Sequence, residues 1–150
     1  APDRGAALGK EPGPGTHCPP RPTGGARGTP PPLEIYGTDY PTADGTAVRD
    51  YVHVSDLADA HVCALRYLQR GGASRAFNLG TGQGHSVREV IAAVERTCRR
   101  DVPRRVAPRR PGDPASLVAE PGRSRELLGW TPRRSDLDTI VATAWRWYAR

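Results

Sequence analysis

The stretch VRDYVHVSDLADAH, residues 48–61, contains the change from an extended to a helical pattern that decides the fold. Its first half is rich in β-branched and aromatic residues, which favour a strand. Ser55 is typical of a helix N-cap, and Asp56 and Asp59 suit the positive end of a helix dipole. The stretch therefore predicts an extended segment up to Ser55 and a helix directly after it.

The predicted helix ends at a glycine pair, Gly71-Gly72, and has apolar residues at helical spacing. We expect one buried face, formed by Leu57, His61, Ala64, Leu65 and Leu68. Residue types that bind metals also occur here, at His53, Asp56, Asp59 and His61. Because the helix start accounts for both aspartates and His61 belongs to the apolar face, the pattern favours a capped helix over a metal site.

Strand and helix signals continue along the chain. LEIYG, residues 33–37, predicts a short strand, and residues 75–79 predict a second one. Ser86 and Glu89 form a capping box in front of a helix, and Pro103 ends that unit. The apolar face of this helix consists of Val87, Val90, Ile91, Val94 and Cys98.

Two more helices are predicted near the C-terminus. The first covers about residues 121–128, with Gly129 at its C-cap position. At the start of the second, Ser135 and Asp138 form a pattern like a capping box. The apolar face of the second consists of Leu137, Ile140, Val141, Ala144, Trp145 and Tyr148. Because strands and helices alternate, the fold class is α/β. So few strands form either a very small domain or part of a sheet that lies mostly in chain not present here.

A glycine-rich turn, FNLGTGQGHSVREV at residues 77–90, connects the second predicted strand to the capped helix. Such turns hold dinucleotide pyrophosphates when they read G-x-G-x-x-G. Gly80, Gly82 and Gly84 give G-x-G-x-G instead, and no Gly-Lys-Ser/Thr follows as in a P-loop. The spacing favours a structural loop whose glycines supply positive φ, with a cofactor loop as the alternative.

The N-terminal segment has a different composition from the rest of the chain. Nine of the 16 prolines and seven glycines lie in residues 1–32, which lack any apolar periodicity. We therefore expect an irregular or disordered segment at 1–32 and a folded part at 33–150.

Composition also argues against several classes of protein. The net charge of +6 would suit a nucleic-acid partner. The arginines, however, fall in scattered pairs within an Ala, Arg, Gly and Pro mixture typical of GC-rich codons, so we expect no nucleic-acid partner. Cys18, Cys63 and Cys98 lack metal-ligand spacing, which favours a reduced, cytoplasmic setting. We expect no membrane partner, because no run of about 18 apolar residues occurs.

Two stretches carry residues suited to a phosphorylated ligand. APRRPGDP, residues 107–114, combines two arginines with Asp113, and arginine forks suit phosphate while a carboxylate suits a ribose diol. The alternative is a solvated loop. Arg49 is a second phosphate-ligand candidate, or an exposed arginine paired with Asp50.

Four stretches together resemble, in order and spacing, the C-terminal half of UDP-glucose 4-epimerases. They are LEIYGTDYPTADGTAVRDYVHVSDLADAH, FNLGTGQGHSVREVI, VAPRRPGDPASLVAE and LGWTPRRSDLDTIVATAWRWY. RDYVHVSDLA is shared by many nucleotide-sugar enzymes of the extended short-chain dehydrogenase group, whereas GTDYPTADGT points to the 4-epimerases. The resemblance implies an incomplete Rossmann-like, NAD-dependent epimerase fold of which this chain is the substrate-binding part.

The resemblance also implies roles for individual residues. Leu33, Ile35 and Tyr36 would lie along the uracil ring of a UDP-sugar, UDP-glucose or UDP-galactose, through backbone contacts and the Tyr36 ring. Arg49 and Arg110 match the arginines on the diphosphate, and Asp113 matches the carboxylate near the ribose. The family uses NAD and is usually homodimeric, and its counterpart of the glycine-rich turn is structural, away from NAD.

The catalytic parts of the family have no counterpart in this chain. The family uses Tyr-x-x-x-Lys, but the only lysine is Lys10, with Ala6 four residues before it, and no G-x-x-G-x-x-G loop for NAD is present. We therefore expect no catalytic residue and no epimerase activity from the chain alone, and we expect a truncated or frameshifted gene product. A non-catalytic UDP-sugar-binding module and part of a related dehydratase or decarboxylase remain as alternatives.

Overall fold

The computed structural model describes residues 32–148, so nearly all of the predicted irregular segment lies outside the described residues. Strands and helices alternate here, which confirms the α/β class. In chain order they are β1 Leu33–Tyr36, β2 Val48–Arg49, α1 Val54–Gln69, β3 His85–Ser86, α2 Val87–Cys98, β4 Arg104–Ala107, β5 Ser116–Leu117, α3 Gly122–Leu128 and α4 Leu137–Tyr148.

Strands β1 and β4 form a parallel pair that lies against α2 and α4. Leu33 is opposite Arg104 and Tyr36 is opposite Ala107, so the carboxyl ends of both strands lie at the same edge. The core between this pair and the two helices consists of Ile35, Ile91, Ala93, Val94, Val102 and Val141. The predicted strand at 33–37 is confirmed, whereas β4 was not predicted because its sequence, RRVA, lacks apolar alternation.

A second, smaller sheet has the order β3-β2-β5, with β2 antiparallel to β3 and parallel to β5. The predicted extended segment from Val48 to Ser55 pairs only at Val48–Arg49. The predicted strand at 75–79 is wrong, since no strand is assigned there. A strand needs a neighbouring strand to pair with, and among the described strands none pairs with it. Phe77 instead packs its ring edge-on against Tyr67 of α1, with centroids 5.6 Å apart.

Helix α1 differs from the prediction in its start and in its buried face. Its N-cap is His53, whose side chain accepts a hydrogen bond from the Ser55 backbone, so Ser55 lies inside the helix. The buried residues are Asp56 and Ala60. The predicted apolar face is largely in solvent, with Leu65 56% and Leu68 52% exposed and His61 exposed as well. Local periodicity found the apolar residues but could not say which face of the helix a neighbour would cover.

The remaining helices follow the prediction closely. The capping box of Ser86 and Glu89 is present at the start of α2, and Gly129 ends α3 in the left-handed conformation. The start of α4 differs, because Ser135 does not cap it. Asp136 accepts a 2.8 Å hydrogen bond from the Thr139 backbone N–H, while Ser135 bonds elsewhere.

The carboxylate of Asp56 attaches the start of α1 to the segment before α4. Asp56 is 2% exposed, and its Oδ2 accepts hydrogen bonds from the backbone N–H groups of Arg133 and Arg134 and from the Ser135 hydroxyl, at 3.1, 2.8 and 2.6 Å. Trp130 donates its indole N–H to the Asp56 carbonyl at 2.8 Å. Burial raises the pKa of this carboxyl, but the hydrogen bonds from Ser135, Arg134 and Arg133 outweigh burial and hold the pKa below its usual value.

Within residues 32–148 no helix has both the length and the apolar character needed to cross a membrane.

Truncation of a core residue and of an exposed α1 residue should have very different effects on stability. Ile91 is 3% exposed in the core, whereas Leu65 is 56% exposed. We expect Ile91→Ala to lower the free energy of unfolding by roughly 2–5 kcal/mol and Leu65→Ala to change it by less than about 0.5 kcal/mol. Urea unfolding followed by circular dichroism measures both, and equal losses would contradict the assignment of the core.

Replacement of Asp56 should make stability less sensitive to acid. The folded-state pKa of this carboxyl lies below the value of about 3.9 in an unfolded chain, so its contribution is complete above about pH 5 and is lost as the pH falls below about 4. Asp56→Asn should therefore cost about 1.5–3 kcal/mol at pH 7, with a gap to the wild type that narrows toward pH 2. Urea unfolding across this pH range measures the gap. Asp59→Asn, on the exposed side of α1, is the control; a gap independent of pH would contradict the assignment.

Candidate functional site

Two of the predicted ligand residues lie at the edge where β1 and β4 end. Tyr36 is the last residue of β1, and Arg110 follows the last residue of β4, Ala107, by three positions. Ligands of open α/β sheets bind beyond the carboxyl ends of parallel strands, because loops diverge there and leave a crevice. Tyr36 and Arg110 therefore lie where the fold favours a binding site.

Arg110 lies over the ring of Tyr36. The guanidinium carbon is 3.8 Å from the ring centroid, the geometry of a cation–π contact. Contact with Tyr36 raises the pKa of Arg110, and the charges of Asp113 and Glu34 add to that effect. The Tyr36 hydroxyl donates a hydrogen bond to Glu34, and this bond together with the Arg105 pair lowers the pKa of the Glu34 carboxyl. Arg110 is thus a fixed positive charge at the strand ends.

A tight turn connects Arg110 to Asp113. The Asp113 backbone N–H donates to the Arg110 carbonyl at 3.2 Å, and Gly112 between them has a φ of 78°. Proline at the second position and glycine with positive φ at the third are the signature of a type II turn. The sequence RPGD therefore holds Arg110 and Asp113 at the two ends of one turn.

Arg49 reaches the same place from the other sheet. Its Nη1 donates to the Val48 carbonyl at 2.7 Å, and its Nη2 forms an ion pair with Asp113 Oδ1. The two side chains are 23% and 31% exposed, so the pair is partly shielded from water. Strand β5, which begins at Ser116 shortly after the turn, pairs with β2 and brings Arg49 beside Asp113.

The structure thus places four predicted site residues in a chain of contacts and separates two others from it. The four are Tyr36, Arg49, Arg110 and Asp113. Side chains alternate along a strand, and those of Leu33 and Ile35 face the core, with Ile35 only 5% exposed. The Leu33 backbone N–H donates to the Pro103 carbonyl at 2.7 Å, and in this parallel pair the backbone groups of Leu33 and Ile35 point to β4 while those of Tyr36 point away from it. The expectation of backbone contacts with a ligand remains a prediction, and the register favours Tyr36 for them.

Glu34 is a residue that the sequence analysis missed. It lies on the same face of β1 as Tyr36, two positions earlier, and accepts a 2.9 Å hydrogen bond from Arg105 Nε. The signal was available in the period of two along LEIY, which puts Glu34 and Tyr36 on one side.

A second arginine, Arg109, repeats the chemistry of Arg110 nearby. Its Nε donates to Asp39 Oδ1 at 2.7 Å, and its guanidinium carbon lies 4.1 Å from the centroid of Tyr40. The Asp39 side chain is 74% exposed, so this pair lies in water. The composition of residues 107–114 does not distinguish Arg109 from Arg110, although the family resemblance selects Arg110, and the structure directs the two arginines to different partners.

The glycine-rich turn surrounds the carboxylate of Asp50. That carboxylate accepts hydrogen bonds from the Thr81 backbone N–H at 3.0 Å, the Thr81 hydroxyl at 2.7 Å, the Gly82 N–H at 3.0 Å and the Ala119 N–H at 3.3 Å. Burial raises the pKa of Asp50, but these hydrogen bonds outweigh burial and leave the pKa below its usual value. A Cβ on Gly80 would lie 2.3 Å from Ala119 Cβ, so the close approach requires glycine.

This arrangement decides whether the turn fits a dinucleotide. The backbone N–H groups that would bind a pyrophosphate are already bonded to an internal carboxylate, whose negative charge would repel a phosphate. The residues of the turn therefore do not fit NAD, and the expectation of a structural loop agrees with this geometry.

Three of the four candidate metal ligands, His53, Asp56 and His61, have other partners. His53 contacts the Thr143 hydroxyl at 2.9 Å, and His61 contacts the Leu57 carbonyl at 2.7 Å. Asp56 bonds the segment before α4, as described above. In the part of the chain covered by the structure, no group of three or more metal-binding side chains is close enough to hold an ion.

The chain is similar to known proteins along most of its length. The profile of the NAD dependent epimerase/dehydratase family matches residues 23–80. The UDP-glucose 4-epimerase of Lacticaseibacillus casei is 47% identical over 142 residues, which cover 95% of this chain and 43% of that protein. The UDP-glucose 4-epimerase of Azospirillum brasilense is 57% identical over 117 residues, which cover 78% of this chain and 34% of that protein.

Solved structures give the same result. A UDP-glucose 4-epimerase from Stenotrophomonas maltophila, with bound NAD and formylated UDP-arabinopyranose, matches with a TM-score of 0.75 and 47% identity over 79% of this chain and 35% of that chain. The enzyme from Bifidobacterium longum, in complex with NAD⁺ and UDP, matches with a TM-score of 0.71 and 38% identity over the same shares, 79% and 35%.

The fold and these matches define an α/β part of the NAD-dependent epimerase fold, with parallel strands. More particularly, over the part that they share, the chain is homologous to UDP-glucose 4-epimerases. The chain spans 43% and 34% of the length of the two curated relatives named above.

Replacement of Asp50 should loosen the glycine-rich turn. An asparagine offers one acceptor oxygen and turns an N–H₂ group toward the donors of Thr81, Gly82 and Ala119. We expect Asp50→Asn to lower the free energy of unfolding by roughly 1–3 kcal/mol and to speed hydrogen exchange at the Thr81 and Gly82 amides. The exposed Asp101→Asn is the matched control. Unchanged exchange at both amides would show that the carboxylate does not hold the turn.

Proposed function

We propose that the chain is the C-terminal, UDP-sugar-binding part of a UDP-glucose 4-epimerase, within an incomplete Rossmann-like fold. The observation that carries the proposal is the contact chain from Tyr36 through Arg110 and Asp113 to Arg49 at the carboxyl ends of β1 and β2. These four side chains come from three segments, since Arg110 and Asp113 share one turn, and they contain two guanidinium groups, one carboxylate and one aromatic ring. The homology to UDP-glucose 4-epimerases supports a nucleotide-sugar as the ligand.

Arg49 and Arg110 would hold the diphosphate. Each guanidinium offers paired N–H donors that match phosphate oxygens, and each is anchored by a neighbour, Asp113 or Tyr36. Charge-assisted hydrogen bonds of this kind contribute about 1.5–3 kcal/mol each. Two such arginines make the diphosphate the main anchor of the ligand.

The nucleoside would lie beside this anchor. Asp113, at the end of the turn, would accept hydrogen bonds from the ribose hydroxyls. Strand β1 bonds β4 along one edge through the backbone of Leu33 and Ile35, and the uracil would contact the backbone of Tyr36, which faces the other edge. The Tyr36 ring has Arg110 over it, so the ring would act on the ligand chiefly by holding that arginine.

The chain would bind without performing the redox chemistry of the family. The sequence has no Tyr-x-x-x-Lys pair, and the glycine-rich turn before α2 is filled by the carboxylate of Asp50. UDP-glucose 4-epimerases are also the relatives at 47% and 57% identity, which favours this family over the related dehydratases and decarboxylases.

Calorimetric titration with UDP tests the proposal. We expect saturable binding by the 150-residue chain that weakens as salt is added, because the contacts are ionic. Arg110→Ala should weaken binding by roughly 10–100-fold, since one charge-assisted contact is lost. With NAD supplied, UDP-galactose should not be converted.

Arg96→Ala is the control for this titration. Arg96 also forms an ion pair with a carboxylate, Asp138, at 2.8 Å, but on the surface between α2 and α4. The Arg96→Ala substitution changes the net charge by the same amount as Arg110→Ala and should leave the affinity for UDP within about twofold of the wild type. Absence of UDP binding, or equal effects of the two alanine variants on affinity, would contradict the proposal. Conversion of UDP-galactose would refute its non-catalytic part.

A further inference from the structure

We infer that Asp113 is a specificity-determining residue, which selects nucleoside diphosphates against free pyrophosphate by competing for Arg49. The inference rests on the proposed function and concerns the same site. It starts from the ion pair between the Asp113 carboxylate and Arg49 Nη2, which lies directly where the diphosphate would bind. The proposed cradle thus contains a negative charge as well as two positive ones.

The position of that negative charge is set by backbone. The type II turn of residues 110–113 places Asp113 next to Arg110, and the pairing of β2 with β5 places Arg49 next to Asp113. With both side chains about a quarter to a third exposed, water screens the pair only in part. Asp113 therefore faces any anion that reaches Arg49.

An entering diphosphate has to share Arg49 with the Asp113 carboxylate and is repelled by it. This repulsion acts on every anion of that charge, whether or not a nucleoside is attached. For a nucleoside diphosphate this repulsion is offset, because the ribose hydroxyls donate hydrogen bonds to the Asp113 carboxylate, and hydrogen bonds to an ionised acceptor are strong. Free pyrophosphate has no ribose hydroxyls, so nothing offsets its repulsion by the Asp113 carboxylate.

The neighbouring pair of Arg109 and Asp39 provides a matched comparison. It has the same ion-pair chemistry and the same stacking of arginine on tyrosine, here Tyr40. The Asp39 side chain is 74% exposed, and its arginine is not one of the two in the contact chain described above. Neutralising Asp39 changes the net charge as neutralising Asp113 does, without altering the charge beside Arg49.

The test uses the 150-residue chain, its Asp113→Asn and Asp39→Asn variants, and calorimetric titration with UDP and with inorganic pyrophosphate at low salt. In Asp113→Asn the affinity for pyrophosphate should rise and the preference for UDP over pyrophosphate should fall, on the order of tenfold. Asp39→Asn should keep the wild-type preference. An unchanged preference in Asp113→Asn, or a lower affinity for pyrophosphate, would overturn the inference.

A second measurement varies the ligand on the wild-type chain, so it does not depend on how a variant folds. 2′,3′-Dideoxyuridine diphosphate keeps the base and diphosphate but lacks the hydroxyls that Asp113 would accept. The wild type should bind it several-fold more weakly than UDP, and Asp113→Asn should discriminate less between the two. Equal binding of both ligands by the wild type would overturn the inference alone, whereas failure of the wild type to bind UDP would overturn the proposed function as well.

Discussion

The carboxylate of Asp50 is the contact on which the candidate site depends, because it joins three segments that are far apart in sequence. Asp50 directly follows Arg49, the last residue of β2, and its carboxylate accepts hydrogen bonds from Thr81, Gly82 and Ala119. Strands β2, β3 and β5 have two residues each, so their ladders alone contain few hydrogen bonds. The carboxylate adds the attachments that fix the backbone of Arg49, and it does so by taking the place an external anion would have in the glycine-rich turn.

Most of the helices could be predicted from the sequence, because the signals that start and end them are local. The capping box at Ser86 and the glycine at 129 are examples. Strand β4 could not be predicted, since its arginines carry no apolar alternation and the pairing with β1 arises from tertiary register. The face of α1 was assigned wrongly for a related reason. Apolar spacing shows which residues share a face, but only the neighbours decide that Ala60 is covered and Leu65 is not.

For the candidate site, the sequence indicated the kinds of residue but not their pairing. Arginines and a carboxylate in a stretch rich in proline and glycine suggested a phosphate and ribose ligand, and the resemblance to a family selected Arg49, Arg110 and Asp113. The ion pair between Arg49 and Asp113 spans 64 positions, which no local pattern contains. Alternation along residues 33–36 places Ile35 and Tyr36 on opposite faces of the strand, but it could not show that Arg110 lies on the Tyr36 ring.

The turn at residues 110–113 has a consequence for the thermodynamics of recognition. Proline at position 111 restricts the unfolded chain, and glycine at 112 adopts its φ of 78° without steric cost, so little backbone freedom remains at this turn in the folded protein. A ligand that contacts both Arg110 and Asp113 then has to order mainly their side chains, at about 0.5–1.5 kcal/mol for each one immobilised. Much of the conformational entropy of recognition at this edge is therefore lost during folding, before any ligand arrives.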